Sequence, residues 1–294
     1  MSRLTAAIAE YAESEPASMK EPEPIVVIDL FPETLDALVA LLTELSPEDW
    51  ARSTVCSRWS VKDIAVHLLG GDIGLLSRKR DAEQPSGEPA RSWTELVALI
   101  NKLNDTWVKA ARRISPRLLC DLLRFTGAQV CEYFRSLDPT AQGGPVDWAG
   151  PGPAPVWLDL AREYTERWHH QQQIRDAVRR PGLVEPRFLA PVLDTFVRAL
   201  PHTYRNVAAD AGTAVTLTVT GNAGGRWSVV REDGKWILYV GRAEQPGAEV
   251  VIDQDAAWRL FCKGMTRSEA ARRTTLIGER ALAEHALEMV SVIA

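Results

Sequence analysis

Residues 163–183 read EYTERWHHQQQIRDAVRRPGL, and the way this stretch folds decides the first two-thirds of the chain. Trp157, Leu160, Tyr164, Trp168 and Val178 recur at helical spacing, and Pro181-Gly182 halts the pattern, which predicts a long helix over 157–179. Steps of three and four return to one helix face, so Glu163, Glu166, His170 and Gln173 share a narrow stripe roughly opposite the apolar one. A helix with one side in water gives this pattern. So does a helix that holds a metal ion, because Glu166 with His170 and Glu166 with His169 are both chelating spacings. His169 and His170 point about 100° apart, so one helix cannot aim both at the same ion without distortion.

A second histidine sits in WSVKDIAVHLLGGD, residues 59–72. Ser60 is a candidate N-cap with Asp63 as its capping-box acid, for a helix over 61–80. His67 lies within an apolar turn formed by Ile64, Ala65, Val66, Leu68 and Leu69, and a buried imidazole needs a partner. A hydrogen-bonded core histidine meets that need, and so does a metal ligand supplied from a neighbouring helix. His67, Glu166 and His170 would make an N, O, N set suited to zinc or another first-row divalent ion with a position left open for catalysis. Spacing alone leaves both readings standing.

Outward from these segments, helical periodicity covers 31–45, 92–112, 116–137 and 186–206, with loops at 83–91 and 138–156. The character then changes. Residues 213–220, 226–232, 235–241 and 248–253 read as strands, and Asp233-Gly234 marks a hairpin between the second and third. Helices fit 255–263 and 280–293. The expected fold class is α+β: an arm over 1–29, helical for 3–13; a helix bundle over 30–206; and a small α/β domain over 207–294.

Composition narrows the function. A formal net charge of −5 argues against a general nucleic-acid binder, which concentrates cations on one face. The N-terminus lacks a cationic start and apolar core, so it is not read as a signal peptide, and no apolar run is long enough for a membrane span. Cys56, Cys120, Cys131 and Cys262 are scattered without a CxxC pair, which suits reduced thiols in a cytoplasmic protein.

Residues 49–72, DWARSTVCSRWSVKDIAVHLLGGD, together with 163–183, resemble the mycothiol-dependent maleylpyruvate isomerase family. TVTGNAGGRWSVVREDGKWIL (218–238), DAAWRLFCKG (255–264) and TLIGERALAEHALEMVSVIA (275–294) resemble the small sterol-carrier-like domain found in the same family. The resemblance implies a DinB-like metal-binding four-helix bundle followed by that α/β domain. It implies His67, Glu166 and His170 as ligands of a divalent metal, most simply Zn2+, with His169 left as a neighbouring or surface residue. Mycothiol would be the thiol cosubstrate, a small and carboxylate-bearing electrophile the other partner, and the chain a monomer or homodimer. Isomerisation regenerates the thiol after adding it to an alkene; S-transfer leaves it on the product. The family also draws on an arginine of the C-terminal domain, for which Arg259 and Arg280 are the candidates. Many relatives have an aspartate three residues after the last histidine, where this chain has Gln173. Cys56 is read as packing rather than as a nucleophile. The competing readings are a metal- or ligand-binding protein without turnover, and a metal-dependent hydrolase with Glu163 as its base.

Overall fold

The computed structural model describes residues 19–83, 91–150 and 152–292. Four helices close a ring: α1 (Leu30–Thr43), α3 (Val61–Leu75), α5 (Pro116–Arg135) and α6 (Val156–Ala177), with α1 against α5, α5 against α3, α3 against α6 and α6 back against α1. The one-turn helix α2 (Pro47–Ala51) precedes α3, and α4 (Trp93–Ala111) packs on the outside of α3. Ser60 accepts from the Asp63 amide while the Asp63 carboxylate accepts from the Ser60 amide, so the capping box read from the sequence is formed. The helix runs on as a π-helical turn over Leu76–Arg80. The helix expected over 186–206 is divided into α7 (Pro186–Val197) and α8 (Leu200–Tyr204). Pro201 lacks the amide that a continuous helix would use there.

The second half is a five-stranded mixed sheet in the order β5-β4-β3-β6-β7: β3 (Ala214–Thr220), β4 (Gly225–Glu232), β5 (Lys235–Val240), β6 (Ala248–Asp253) and β7 (Thr274–Gly278). All neighbours are antiparallel except β3 and β6, which are parallel. Asp233 and Gly234, both at positive φ (45° and 77°), make the expected tight turn between β4 and β5. The alternation along β3 and β4 sends Val215, Leu217, Val219, Trp227 and Val229 into the main core and turns Thr216 and Ser228 to the other face, where their hydroxyls bond at 2.9 Å. Helices α8, α9 (Gln254–Phe261) and α11 (Arg280–Ala286) pack on the sheet, and the short α10 (Arg267–Ala271) adjoins α9 and β7.

Other features also differ from expectation. The strand β7 and a small hairpin, β1 (Gln142–Pro145) with β2 (Pro153–Pro155), occupy stretches that had no assigned strand. The last helix stops at Ala286, because the segment after it turns inward: Met289 and Ser291 are buried, and the Ser291 amide donates to the Phe261 carbonyl at 2.9 Å.

One apolar cluster runs from the bundle into the sheet. Trp168 of α6 meets Trp258 of α9 edge to face at 5.3 Å, and Phe196 of α7 meets Phe261 at 6.4 Å. The fold is therefore a four-helix bundle joined to a sheet, with α9 seated on α7. Residues 19–29, placed with the arm by composition, lie on this body. Lys20 forms a bridge with Val240 at the β5 edge, and Ile25 and Val27 are buried. The helix expected over 3–13 lies outside the described residues. No helix among the described residues is long and apolar enough to cross a membrane.

Candidate metal centre

The polar side of α6 is not in water. His169, His170, Gln171, Gln172 and Gln173 are all buried, because the ring of helices and the α9 region cover them. A wet amphipathic helix is thus excluded for this segment. Each buried polar group then needs a partner, and the partners divide the helix into two stripes.

The first stripe is Glu163 and Arg167, with Gln171 on the same face as the exception, its buried amide having no hydrogen-bond partner among the described residues. Arg167 donates to Glu163 Oε2 at 2.7 Å and to Asp72 of α3 at 2.9 Å, and the Thr126 hydroxyl donates to the other Asp72 oxygen at 3.0 Å. Arg162 donates to Glu163 Oε1 at 2.7 Å. Burial works to raise the Glu163 carboxyl, but Arg162 and Arg167 outweigh it and hold it at about 2. A carboxylate so committed is not placed to serve as a base.

The second stripe is Glu166, His170 and Gln173, and α3 brings His67 to it. One ligand atom from each of His67, Glu166 and His170 lies within 4.8 Å of the others. His170 Nδ1 donates to Gln173 Oε1 at 2.8 Å, and the Cys56 thiol donates to the same oxygen at 3.5 Å. With its proton on Nδ1, His170 turns the lone pair of Nε2 toward Glu166 Oε2, 3.6 Å away. Burial, reinforced by the neighbouring His169, pushes His170 down to about 3 despite Glu166 and Gln173. Burial and His170 push His67 down to about 3 against the attraction of Glu166. Two neutral imidazoles and a carboxylate thus face one another at close range. Acceptors converging in this way are the donor set of a cation. Bonds of about 2.0–2.2 Å to a tetrahedral ion put ligand atoms roughly 3.4 Å apart, so modest side-chain rotation closes the set.

The surroundings are as follows. The Trp59 ring lies 4.8 Å from the His67 ring. His169 donates from Nδ1 to the Thr165 carbonyl at 2.9 Å and stacks 4.1 Å from His170 without joining the triad. Cys56 is half-buried, and burial raises its thiol above the usual range, which keeps it protonated. Cys262, at the end of α9, is buried, and its thiol is pushed up to about 12 by burial, with Glu166 and Cys56 among the charges it senses. All four cysteines are free thiols. Trp59 and Cys262 had no signal in the sequence, because a loop and a distant helix carry them to the triad.

The two arginines part company. Arg259 sits on α9, stacked 4.3 Å over Trp258, with its guanidinium paired to Asp176 of α6 (2.5 Å) and Asp255 (2.8 Å). It ties α9 to the helix that carries the triad. The Arg280 side chain is 82% exposed and pairs with Glu284 at 2.7 Å. None of its partners belongs to the triad.

Comparisons with known proteins bear on the family and the fold. Residues 31–175, which contain all three triad members, match the family model of the mycothiol maleylpyruvate isomerase N-terminal domain. Among solved structures, a histidine-to-alanine mutant of the mycothiol-dependent maleylpyruvate isomerase aligns over 86% of this chain and 92% of its own, with a TM-score of 0.51 and 12% identity. A second structure of the mycothiol-dependent maleylpyruvate isomerase aligns over 79% and 86%, with a TM-score of 0.49 and 12% identity. The first likeness supports a shared fold. No curated protein matches the chain in sequence.

Proposed function

We propose that this chain, whose residues 31–175 belong to the mycothiol maleylpyruvate isomerase N-terminal domain family, is a metal-dependent enzyme that uses a low-molecular-weight thiol, mycothiol by family, as an isomerase or S-transferase on a small electrophile. The observation that carries this reading is the convergence of His67, Glu166 and His170, one ligand atom of each lying within 4.8 Å of the others. Three protein ligands with an open position are the mark of a catalytic rather than a structural site. A divalent cation held there, Zn2+ by the N, O, N donor set, supplies Lewis acidity that keeps a coordinated thiol deprotonated at neutral pH.

The chain's own residues do the rest. His67 and His170 stay neutral, so their lone pairs remain available across the physiological range. Gln173 fixes the tautomer of His170 and its ring orientation. Trp59 walls the site beside His67. The protonated Cys56 leaves the role of nucleophile to an external thiol. Arg259 holds α9 against α6, the helix that carries Glu166 and His170, whereas Arg280 pairs with Glu284 of its own helix. Isomerisation and S-transfer need the same thiolate and differ only in whether the sulfur leaves again. The hydrolase reading loses its candidate base in the Arg162–Glu163–Arg167 cluster. Free cysteines suit a reducing compartment such as the cytoplasm.

Elemental analysis tests this directly. Protein purified without added metal is expected to carry about one divalent ion per chain, and His67→Ala, Glu166→Gln or His170→Ala to lose it. Thiol-dependent turnover of an electrophilic alkene acid is expected to vanish in the same variants. A wild-type chain that stays metal-free after reconstitution would refute the reading.

A further inference from the structure

A cleft of about 460 Å³ is walled by Val55 from the helical half, the end of α9, and residues 287–290. Two of its lining residues, Val55 and Lys263, are chain neighbours of cysteines that face the triad. Cys56 follows Val55 and donates to Gln173, and Cys262 precedes Lys263 and senses both Glu166 and Cys56. The walls are mainly apolar: Val55, Leu260, Met265, Leu287, Met289 and Val290. Four charged residues also line the cleft, and three of them are already engaged. Arg267 pairs with Glu288 at 3.1 Å, and Glu269 accepts from the Thr266 amide (2.9 Å) and hydroxyl (2.6 Å). The Lys263 amine has no ion pair or hydrogen bond among the described residues.

The backbone singles out the same residue. Helix α9 ends in a Schellman turn, with the Lys263 amide on the Leu260 carbonyl (3.1 Å) and the Gly264 amide on the Arg259 carbonyl (2.7 Å). That turn puts Lys263 at φ 61°, the left-handed region where glycine is the favoured residue. A side chain kept at a strained position, exposed and unpaired, on the wall of this cleft points to a ligand.

We propose that Lys263 recognises the carboxylate of the electrophile, and that the electrophile is an acid with an apolar body rather than a small dicarboxylate. The volume suits a molecule larger than a four-carbon diacid. A diacid would bring two charges to a cleft with one free cation and would leave the apolar walls unfilled. This inference rests on the proposed function for the reaction but not for the binding, so unreactive probes separate the two.

The probes are 3-phenylpropanoate, its neutral amide and succinate, titrated calorimetrically into the full-length chain. The acid is expected to bind at least tenfold more tightly than either the amide or succinate. Lys263→Gln and Lys263→Gly are expected to erase the difference between acid and amide. Lys263→Gly is also expected to melt no lower than wild type, because it relieves the left-handed strain. Succinate binding as tightly as 3-phenylpropanoate would overturn the substrate class. An acid–amide difference that survives both substitutions would overturn the role of Lys263, and a lower melting temperature for Lys263→Gly would overturn the strain argument. A protein that carries its metal and turns over thiol but binds none of the probes refutes this inference and leaves the proposed function in place.

Discussion

Gln173→Leu removes the acceptor that both His170 Nδ1–H and the Cys56 thiol use, and changes little in volume. Gln173 is only 5% exposed, so water cannot replace the lost oxygen without disturbing the packing. An unsatisfied buried donor costs on the order of 1–3 kcal/mol. Part of that cost falls on the fold and part on the site, because His170 escapes it by moving its proton to Nε2, the atom that would bind the proposed ion. Loss of a hydrogen bond to a ligating histidine typically lowers metal affinity about 10–100-fold, or roughly 1.4–2.7 kcal/mol, which fits within the same range. Competition with a chromophoric chelator measures the zinc affinity of wild type and variant. Thermal melts of the chelator-treated proteins report the share borne by the fold. Gln173→Glu keeps an acceptor and adds a charge, and is expected to bind zinc more tightly than wild type. A Leu variant that holds zinc within twofold of wild type would show that Gln173 does not orient His170, and would refute this account of the centre.

Three further outcomes follow from the same contacts. In metal-free protein His67 and His170 stand at about 3 and His169 at about 4, below the ordinary value near 6.5 of an unfolded chain. The unfolded state therefore takes up protons first; stability is complete above roughly pH 6.5 and declines toward pH 3, by about 1 kcal/mol per histidine per pH unit. Urea midpoints at pH 7.5 and 5.5 check this, and equal midpoints contradict it. Gly70 lies one turn beyond His67, and a Cβ there would meet the Trp107 ring at 2.4 Å, where Trp107 donates to the Val66 carbonyl. Gly70→Ala is expected to destabilise the protein by roughly 1–3 kcal/mol, read as a lowered melting temperature. Asp72→Ala leaves Arg167 buried with Glu163 as its remaining partner and Thr126 without its carboxylate; a loss of about 3 kcal/mol is expected, and a change below about 0.5 kcal/mol in denaturant titration would contradict the network.

What could be read from the chain depended on whether the signal was local. Ser60 and Asp63 announced the start of α3, Asp233-Gly234 the β4–β5 hairpin, and apolar period alone the four bundle helices. Each of these is decided within a few residues. β7 was missed because Thr274–Gly278 is a short edge strand, made by pairing with β6 rather than by its own pattern. The end of α11 was misjudged because the turn inward at Leu287 is fixed by contacts with α9. The polar side of α6 is the instructive case. Three consecutive glutamines read locally as a solvated face, and only the cover supplied by the other helices and by α9 makes them interior. The triad rested on resemblance for its choice of His170 over His169. The structure supplies a physical reason of the same sign: His169 is turned to Thr165, and His170 presents Nε2 to Glu166.

The two stripes of α6 also explain how one helix carries both structural and reactive charge. Around Glu163 and Arg167, cations and carboxylates answer one another within the cluster, so little net charge reaches the triad from that side. The triad itself contributes one negative charge, from Glu166, since its imidazoles are neutral. A divalent ion held there would carry a net charge of about +1, which would favour one thiolate. An aspartate at position 173 would cancel that surplus, whereas the neutral Gln173 keeps it. With a thiolate bound the centre would be neutral, and a carboxylate substrate would then need a cation of its own. The Arg259 charge is matched by Asp176 and Asp255, and Arg280 faces solvent. Lys263 is the lysine with a free amine at the apolar-walled cleft. Gln173→Glu with Lys263→Gln should therefore act on separate quantities: the first shifts zinc affinity and the pH at which thiol turnover begins, and the second shifts the Michaelis constant for the acid. A double variant whose effects on these quantities are not the sum of the single effects, within about 0.5 kcal/mol, would show that metal and carboxylate recognition are one site rather than two.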